Sequence, residues 1–214
     1  IFEMDSDSVS NEKAGKKIVE EFLSGGGILV GTEMIFSYIN RSVDRVVAIS
    51  VDGLFTLPEF KINEKVFRLL LKLKSLAKKT FIIQTRFPEL PIFDNVLRGN
   101  ISGFYKEEIE SRKIFQYPPF KLLIKITKEG KNENQLNKEI EALQKILAEW
   151  KPASYSAFIP KIKNLYIKHI LLKIDPASWP PNKTGQAQQQ EKLYRILSSL
   201  HPSYKVDIGP ESLL

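Results

Sequence analysis

The sequence predicts an α/β protein in two parts, a parallel α/β lobe over residues 1–116 and a small α+β domain over 117–214. Three observations carry that prediction. Helical stripes alternate with short, continuously apolar strands through the first half, as in parallel layers. Tyr117-Pro118-Pro119-Phe120 then interrupts the pattern, because two prolines cannot continue a helix. Beyond it the elements follow the order βαββαβ, that of a split βαβ or ferredoxin-like sandwich.

In the first half, Ile18, Val19, Phe22 and Leu23 recur at helical spacing, with Ser10 or Asn11 as N-cap. Gly25-Gly26-Gly27 ends that helix, since glycine accepts the left-handed geometry of a C-cap. Ile28-Leu29-Val30 reads as a strand, and residues 36–44 show no clear period. Residues 45–51 (RVVAISV) form a second strand, apolar enough to be covered on both faces. Residues 64–79 give the strongest helix. Val66, Leu69, Leu70, Leu73, Leu76 and Ala77 make its apolar stripe, and Arg68, Lys72, Lys74, Lys78 and Lys79 its basic side. A strand at 81–83 and helices near 89–98 and 103–115 complete the lobe. In the second half, strands are expected at 121–127, 154–159, 165–174 and 204–208, with helices at 132–150 and 186–200.

Composition bounds the chemistry. Of 214 residues, 43% are hydrophobic, enough for a core and against a wholly disordered chain. The formal net charge of +7 suits a polyanionic partner without naming one. With no cysteine, disulfides, thiolate zinc sites and a cysteine nucleophile are excluded. His169 and His201 are the two histidines, so a histidine-rich metal site is excluded as well. No apolar run reaches the ~18 residues of a membrane span. The opening IFEMDSDSVS has neither an initiator Met nor a signal-peptide core, which predicts a fragment of a longer, cytoplasmic polypeptide.

Most polar features have plain structural readings. The triple glycine lacks the GK[ST] ending of a phosphate-binding loop. Asp52 follows an apolar strand, as magnesium carboxylates do in many NTPases, yet no such loop precedes it, so it reads as a turn residue. Asp5 and Asp7 read as caps. Neither histidine has an acid–base partner that the sequence places nearby. Residues 161–173 (KIKNLYIKHILLK) are more informative, with Lys161, Lys163, Lys168, Lys173, Tyr166 and His169 and no acid. Lysines in such an entry loop suit a phosphate backbone, and a solvated surface explains them equally well.

Several segments, in order, carry a resemblance: MDSDSV with ILVGTEMI, VDGLFTLPEF, TFIIQT, GFYKEEIESRKIFQYPPF, IPKIKNLYIKHILLKI and VDIGPESLL. They resemble the C-terminal region of the primosomal protein N′ (PriA) family of replication restart helicases. The most specific piece is GFYKEEIESRKIFQYPPF, similar to that family's FYEEELxxRKxxxYPPF. The resemblance covers essentially the whole chain. It implies a partial RecA-like helicase lobe over 1–116 and an S10-like, DNA-binding domain over 117–214. Members restart stalled forks, bind branched DNA, unwind it 3′ to 5′ with ATP and load the replicative helicase.

Departures from the pattern are equally specific. Gly31, Thr32 and Met34 stand in a degenerate motif V, followed by FSYINRS where the family has Lys-Gly and then Asp-Phe-Pro. Where motif VI would supply arginines to the ATP phosphates, the chain reads KLKSLAKK, with Leu76 and Lys79 at those places. Lysine replaces a planar guanidinium poorly there, and losing such an arginine costs on the order of 10³-fold in rate. Without that motif's glycines, 64–79 is expected to stay one unbroken helix. The P-loop lobe and the zinc insertion, with the family's ATP, magnesium and zinc, would lie outside this chain, so no cofactor is expected within it.

The leading expectation is a DNA-binding module of a replication restart protein without catalytic residues of its own. Lys161, Lys163, Tyr166 and Lys168 are the expected DNA contacts, with Arg68, Lys72 and Lys79 as a secondary surface. Two rivals stand beside it: part of a working ATP-dependent helicase, or a scaffold for primosomal partners and single-strand-binding protein. The expected partners are forked or single-stranded DNA, those proteins by resemblance, and the rest of a parent chain.

Overall fold

The computed structural model describes residues 1–179 and 188–214, so the expected helix start at Gln186 lies outside the described residues. The fold is mixed α/β, and the chain divides into two compact units, Ile1–Asp52 with Lys65–Val96, and Gly53–Glu64 with Leu97–Leu214.

The first unit holds two parallel strand pairs. Strand β1 (Phe2–Met4) pairs with β2 (Leu29–Gly31), joined by helix α1 (Glu12–Gly25). Asn11 is the cap of α1: its side chain accepts from the Ala14 amide, one of the donors left open at a helix start. Asp5 closes the preceding turn, accepting from the amides of Asp7 and Ser8. Gly31 is required by the β1–β2 pairing, because a Cβ there would collide with the Met4 carbonyl oxygen. Strand β3 (Val43–Ala48) pairs with β4 (Ala77–Ile83), and helix α2 (Ile62–Leu76) runs directly into β4.

Two expectations are corrected here. Residues 64–79 are not one helix, since α2 stops at Leu76 and Lys79 lies on a strand. Ala77, Lys78 and Lys79 favour helix by propensity, but five of the seven residues of β4 find partners on β3, and that pairing prevails. Nor is the β3–β4 pair covered on both faces, for Val47 of β3 and Ile82 of β4 remain 52% and 49% exposed, as does Ile49 just past β3 at 62%. Asp52 lies in the first turn of the 3-10 helix Val51–Thr56, and its carboxylate accepts from the Thr85 hydroxyl (2.6 Å) and the Arg86 amide (2.9 Å).

Helix α3 (Pro91–Arg98) precedes the second unit's helix α4 (Ile101–Ile114). There follow β5 (Leu122–Gly130), α5 (Glu133–Ile146), β6 (Ala153–Ile162), β7 (Leu165–Ile174), α6 (Gln188–Ser198) and β8 (Tyr204–Ile208). The antiparallel order β6-β7-β5-β8 puts β7 between β5 and β6, which is the split βαβ arrangement. Alternation along the strands sorts the side chains. Ile124, Ile126, Ile170, Leu172 and Ile174 face the helices and meet Leu136, Ile140 and Leu143 of α5 and Leu193 and Leu197 of α6. Leu123 and Leu171 face the other way and are covered by Leu213 of the C-terminal segment.

Candidate nucleic-acid interface

The β6–β7 hairpin carries the cations that the sequence singles out. No acid occurs on either strand between Ala153 and Ile174. Lys163 and Asn164 form its turn with φ of 48° and 65°, the left-handed pair that a tight hairpin needs. Lys161 lies opposite Tyr166, its ammonium 4.9 Å from the ring centroid, a cation–π contact. Lys161 and Lys163 are exposed, and Lys168 is half-buried.

Lys168 pairs across the sheet with Lys128. Like charges directly opposed repel, so this is a local concentration of positive charge. Glu139 offsets one of the two, standing 3.4 Å from the Lys128 ammonium. That ammonium also lies 4.4 Å from the Tyr204 ring. Tyr166 is half-buried against the helix-side core, with Lys161 over its ring.

Other titratable groups in the unit have structural work. Lys173 donates to the Phe115 carbonyl (2.7 Å) and stands 4.2 Å from the Tyr117 ring, and burial lowers its pKa. His169 is 4% exposed, with Nδ1 2.9 Å from the Thr127 hydroxyl. Burial and then the nearby Lys125 ammonium push its pKa down to about 4, so at neutral pH it adds no cation to the hairpin. Tyr155 donates its hydroxyl to the Leu213 carbonyl at 3.1 Å, and burial pushes its pKa up to about 12. No group of three or more His, Cys, Asp or Glu among the described residues could hold a metal ion. No helix among them is long and apolar enough to cross a membrane.

No family model matches the chain. Individual relatives do. It is 29% identical to replication restart protein PriA of Chlamydia pneumoniae over 225 residues, 97% of this chain and 29% of that relative. It is 27% identical to PriA of Thermotoga maritima over 182 residues, 82% of this chain and 25% of the relative. For PriA of Synechocystis sp. the figures are 26% over 163 residues, 73% of this chain and 20% of the relative. The chain resembles the C-terminal region of PriA. It spans less than a third of the length of these relatives.

The most specific segment of that resemblance to PriA, GFYKEEIESRKIFQYPPF, is a structural clamp in this chain. Phe104 and Glu108 are buried one turn apart on α4. Arg112 bridges Glu108 and Glu64, each at 2.8 Å, and its guanidinium lies 5.9 Å from the Phe60 ring. It also donates to the Pro118 carbonyl at 3.4 Å. One planar guanidinium thus fastens segment 53–64 to α4 and to the Tyr117-Pro118-Pro119 turn, which a point charge would do poorly. The sequence pattern signals these residues through the resemblance but not their role.

The motif V residues lie in the first unit. Gly31 ends β2, the Thr32 amide donates to the Met4 carbonyl at 3.2 Å, and Met34 sits in the 3-10 turn Glu33–Ser37. Arg68 and Lys72 fall four residues apart on α2, one helix face, with the Lys72 ammonium 5.5 Å from the Phe36 ring. Lys79 is engaged with Asp44 at 2.6 Å. The structure therefore brings Lys161, Lys163, Tyr166 and Lys168 together on one hairpin. Arg68 and Lys72 are placed on α2, and Lys79 is separated from them on β4.

Proposed function

We propose that this chain is the DNA-binding C-terminal part of a cytoplasmic replication restart protein, related to superfamily 2 3′-to-5′ helicases, and that it contacts forked or single-stranded DNA. Residues 117–214 act as the DNA-binding domain, and 1–116 as a helicase lobe whose nucleotide motifs have decayed. The carrying observation is the acid-free hairpin that presents Lys161, Lys163 and Lys168 together. Each lysine placed against a phosphate releases counterions, which makes affinity fall with salt. Similarity to PriA proteins, named for replication restart, supplies the biological setting. Primosomal proteins, single-strand-binding protein and the rest of a parent chain are the protein partners of this reading.

The chain hydrolyses no ATP alone and needs no cofactor. Leu76 ends α2, and the Lys79 ammonium pairs with Asp44, so neither is arranged as a motif VI arginine. Fluorescence anisotropy with labelled forked, single-stranded and duplex DNA tests the binding. Tightest binding to the fork, weakening with salt, is the expected result. Weak, structure-blind and salt-insensitive binding would contradict it and favour a protein-docking scaffold. DNA-stimulated phosphate release by the purified chain would overturn the ATP statement.

A further inference from the structure

The edge of the second unit's sheet contains an irregularity that the basic residues do not explain. Ser156 on β6 pairs with Lys168, and Lys161 pairs with Tyr166. Four residues of β6, 157–160, therefore face the single residue Ile167 of β7. The surplus cannot lie flat in the ladder and is extruded as a bulge. Pro160, with no amide hydrogen, could not have donated to the ladder in any case. The bulge carries Phe158 and Ile159, which are 54% and 58% exposed, and Ile162 beyond it is 45% exposed.

A bulge on an edge strand blunts unwanted strand pairing, a purpose that charged residues and proline serve and that Pro160 serves here. An exposed phenylalanine and isoleucine oppose it. The hairpin cations Lys161 and Lys163 follow them along the chain within five residues, with no acid anywhere on the two strands. An aromatic ring held out beside cations is the arrangement that binds unpaired nucleotides, since any base has a face to stack and each phosphate needs a positive partner. An acidic protein segment would use the lysines and leave the ring unexplained. The ring of Tyr166, the aromatic expected from the sequence, is already occupied by the Lys161 ammonium and packed on the core.

We infer that the 157–160 bulge is a stacking platform for unpaired nucleotides, on which Phe158 takes a base while Lys161 and Lys163 hold the flanking phosphates. The inference rests on the DNA-binding reading above and specifies its ligand as single-stranded DNA whose bases are free to leave the stack. Phe158 is a surface side chain, so its replacement leaves the fold intact.

The test compares the wild-type chain with Phe158→Ala, Phe158→Trp and the double variant Lys161→Ala/Lys163→Ala. The probes are a labelled oligothymidylate, an abasic oligomer of equal length and a blunt duplex, each titrated at two salt concentrations. Phe158→Ala is expected to weaken oligothymidylate binding on the order of ten-fold, with an unchanged salt slope and little effect on the abasic oligomer. Phe158→Trp is expected to restore it. Lysine removal is expected to weaken all three probes and flatten the salt slope. Lysine-dependent binding that Phe158→Ala leaves unaltered would overturn the stacking inference alone. No binding by the wild type, or binding indifferent to every variant, would overturn this inference and the DNA-binding role of the hairpin together.

Discussion

At the scale of single residues, two buried polar groups show what folding demands. Arg112 is 14% exposed and answers two carboxylates, Glu64 and Glu108, that are themselves 21% and 6% exposed. Removing it takes the opposite charge away from both in a poorly solvated place. Arg112→Met is therefore expected to destabilise the chain by about 3–5 kcal/mol, read as a lower midpoint in urea. Arg112→Lys should recover only part, because a point-like ammonium lacks the planar fork whose separate nitrogens reach Glu108, Glu64 and the Pro118 carbonyl together. His169 makes the second case. Its folded pKa of about 4 lies below the ordinary 6.5, so between those values the unfolded chain binds a proton that the folded chain refuses. Stability contributed by the neutral ring is complete above about pH 6.5 and declines as pH falls toward 4. At about 1.4 kcal/mol per unit the decline is on the order of 3 kcal/mol. His169→Gln cannot take up that proton, so the gap between wild type and variant in urea midpoint should narrow on acidification; a gap independent of pH would refute the assignment.

At the scale of elements, the C-terminal segment behaves as a lid for the sheet face away from the helices. The Lys125 ammonium donates to the carbonyls of Ser212 (2.8 Å) and Leu214 (3.1 Å), while Tyr155 holds that of Leu213. Leu213 itself is 8% exposed over Leu123 and Leu171. Leu213→Ala should cost about 2–5 kcal/mol, and deletion of 212–214 more, because the buried ammonium is then left without either carbonyl. Thermal unfolding checks both; wild-type stability in the deletion would show that the segment is no lid. Sequence legibility also divides by element. Apolar spacing locates α1, α5 and the strands of the four-stranded sheet in the second unit, because each buries one face. It extends α2 through Lys79, since local propensity cannot see that β3 needs a partner at residues 77–83. It also misses β1, three residues whose pairing with β2 depends on a distant segment. The bulge at 157–160 leaves one signal, a proline inside an otherwise strand-like run, and the exposed ring of Phe158 leaves none. Tyr166 looks available for the same reason, because a sequence does not show which aromatic faces the core.

At the scale of the whole molecule, the net charge of +7 gives long-range attraction to a polyanion, and the acid-free hairpin concentrates part of that charge. The PriA proteins it resembles are several times longer than this chain, and its place in replication restart is read through them. The proposed DNA binding by the hairpin rests on Lys161, Lys163 and Lys168 meeting phosphates. The decisive measurement is the slope of log affinity against log salt for single-stranded DNA, in the wild type and in the triple alanine variant of these lysines. A slope shallower by about 2 is expected in the variant, near 0.7 for each phosphate no longer neutralised, with circular dichroism unchanged. An equal slope and equal affinity in both proteins would contradict the lysine–phosphate pairing.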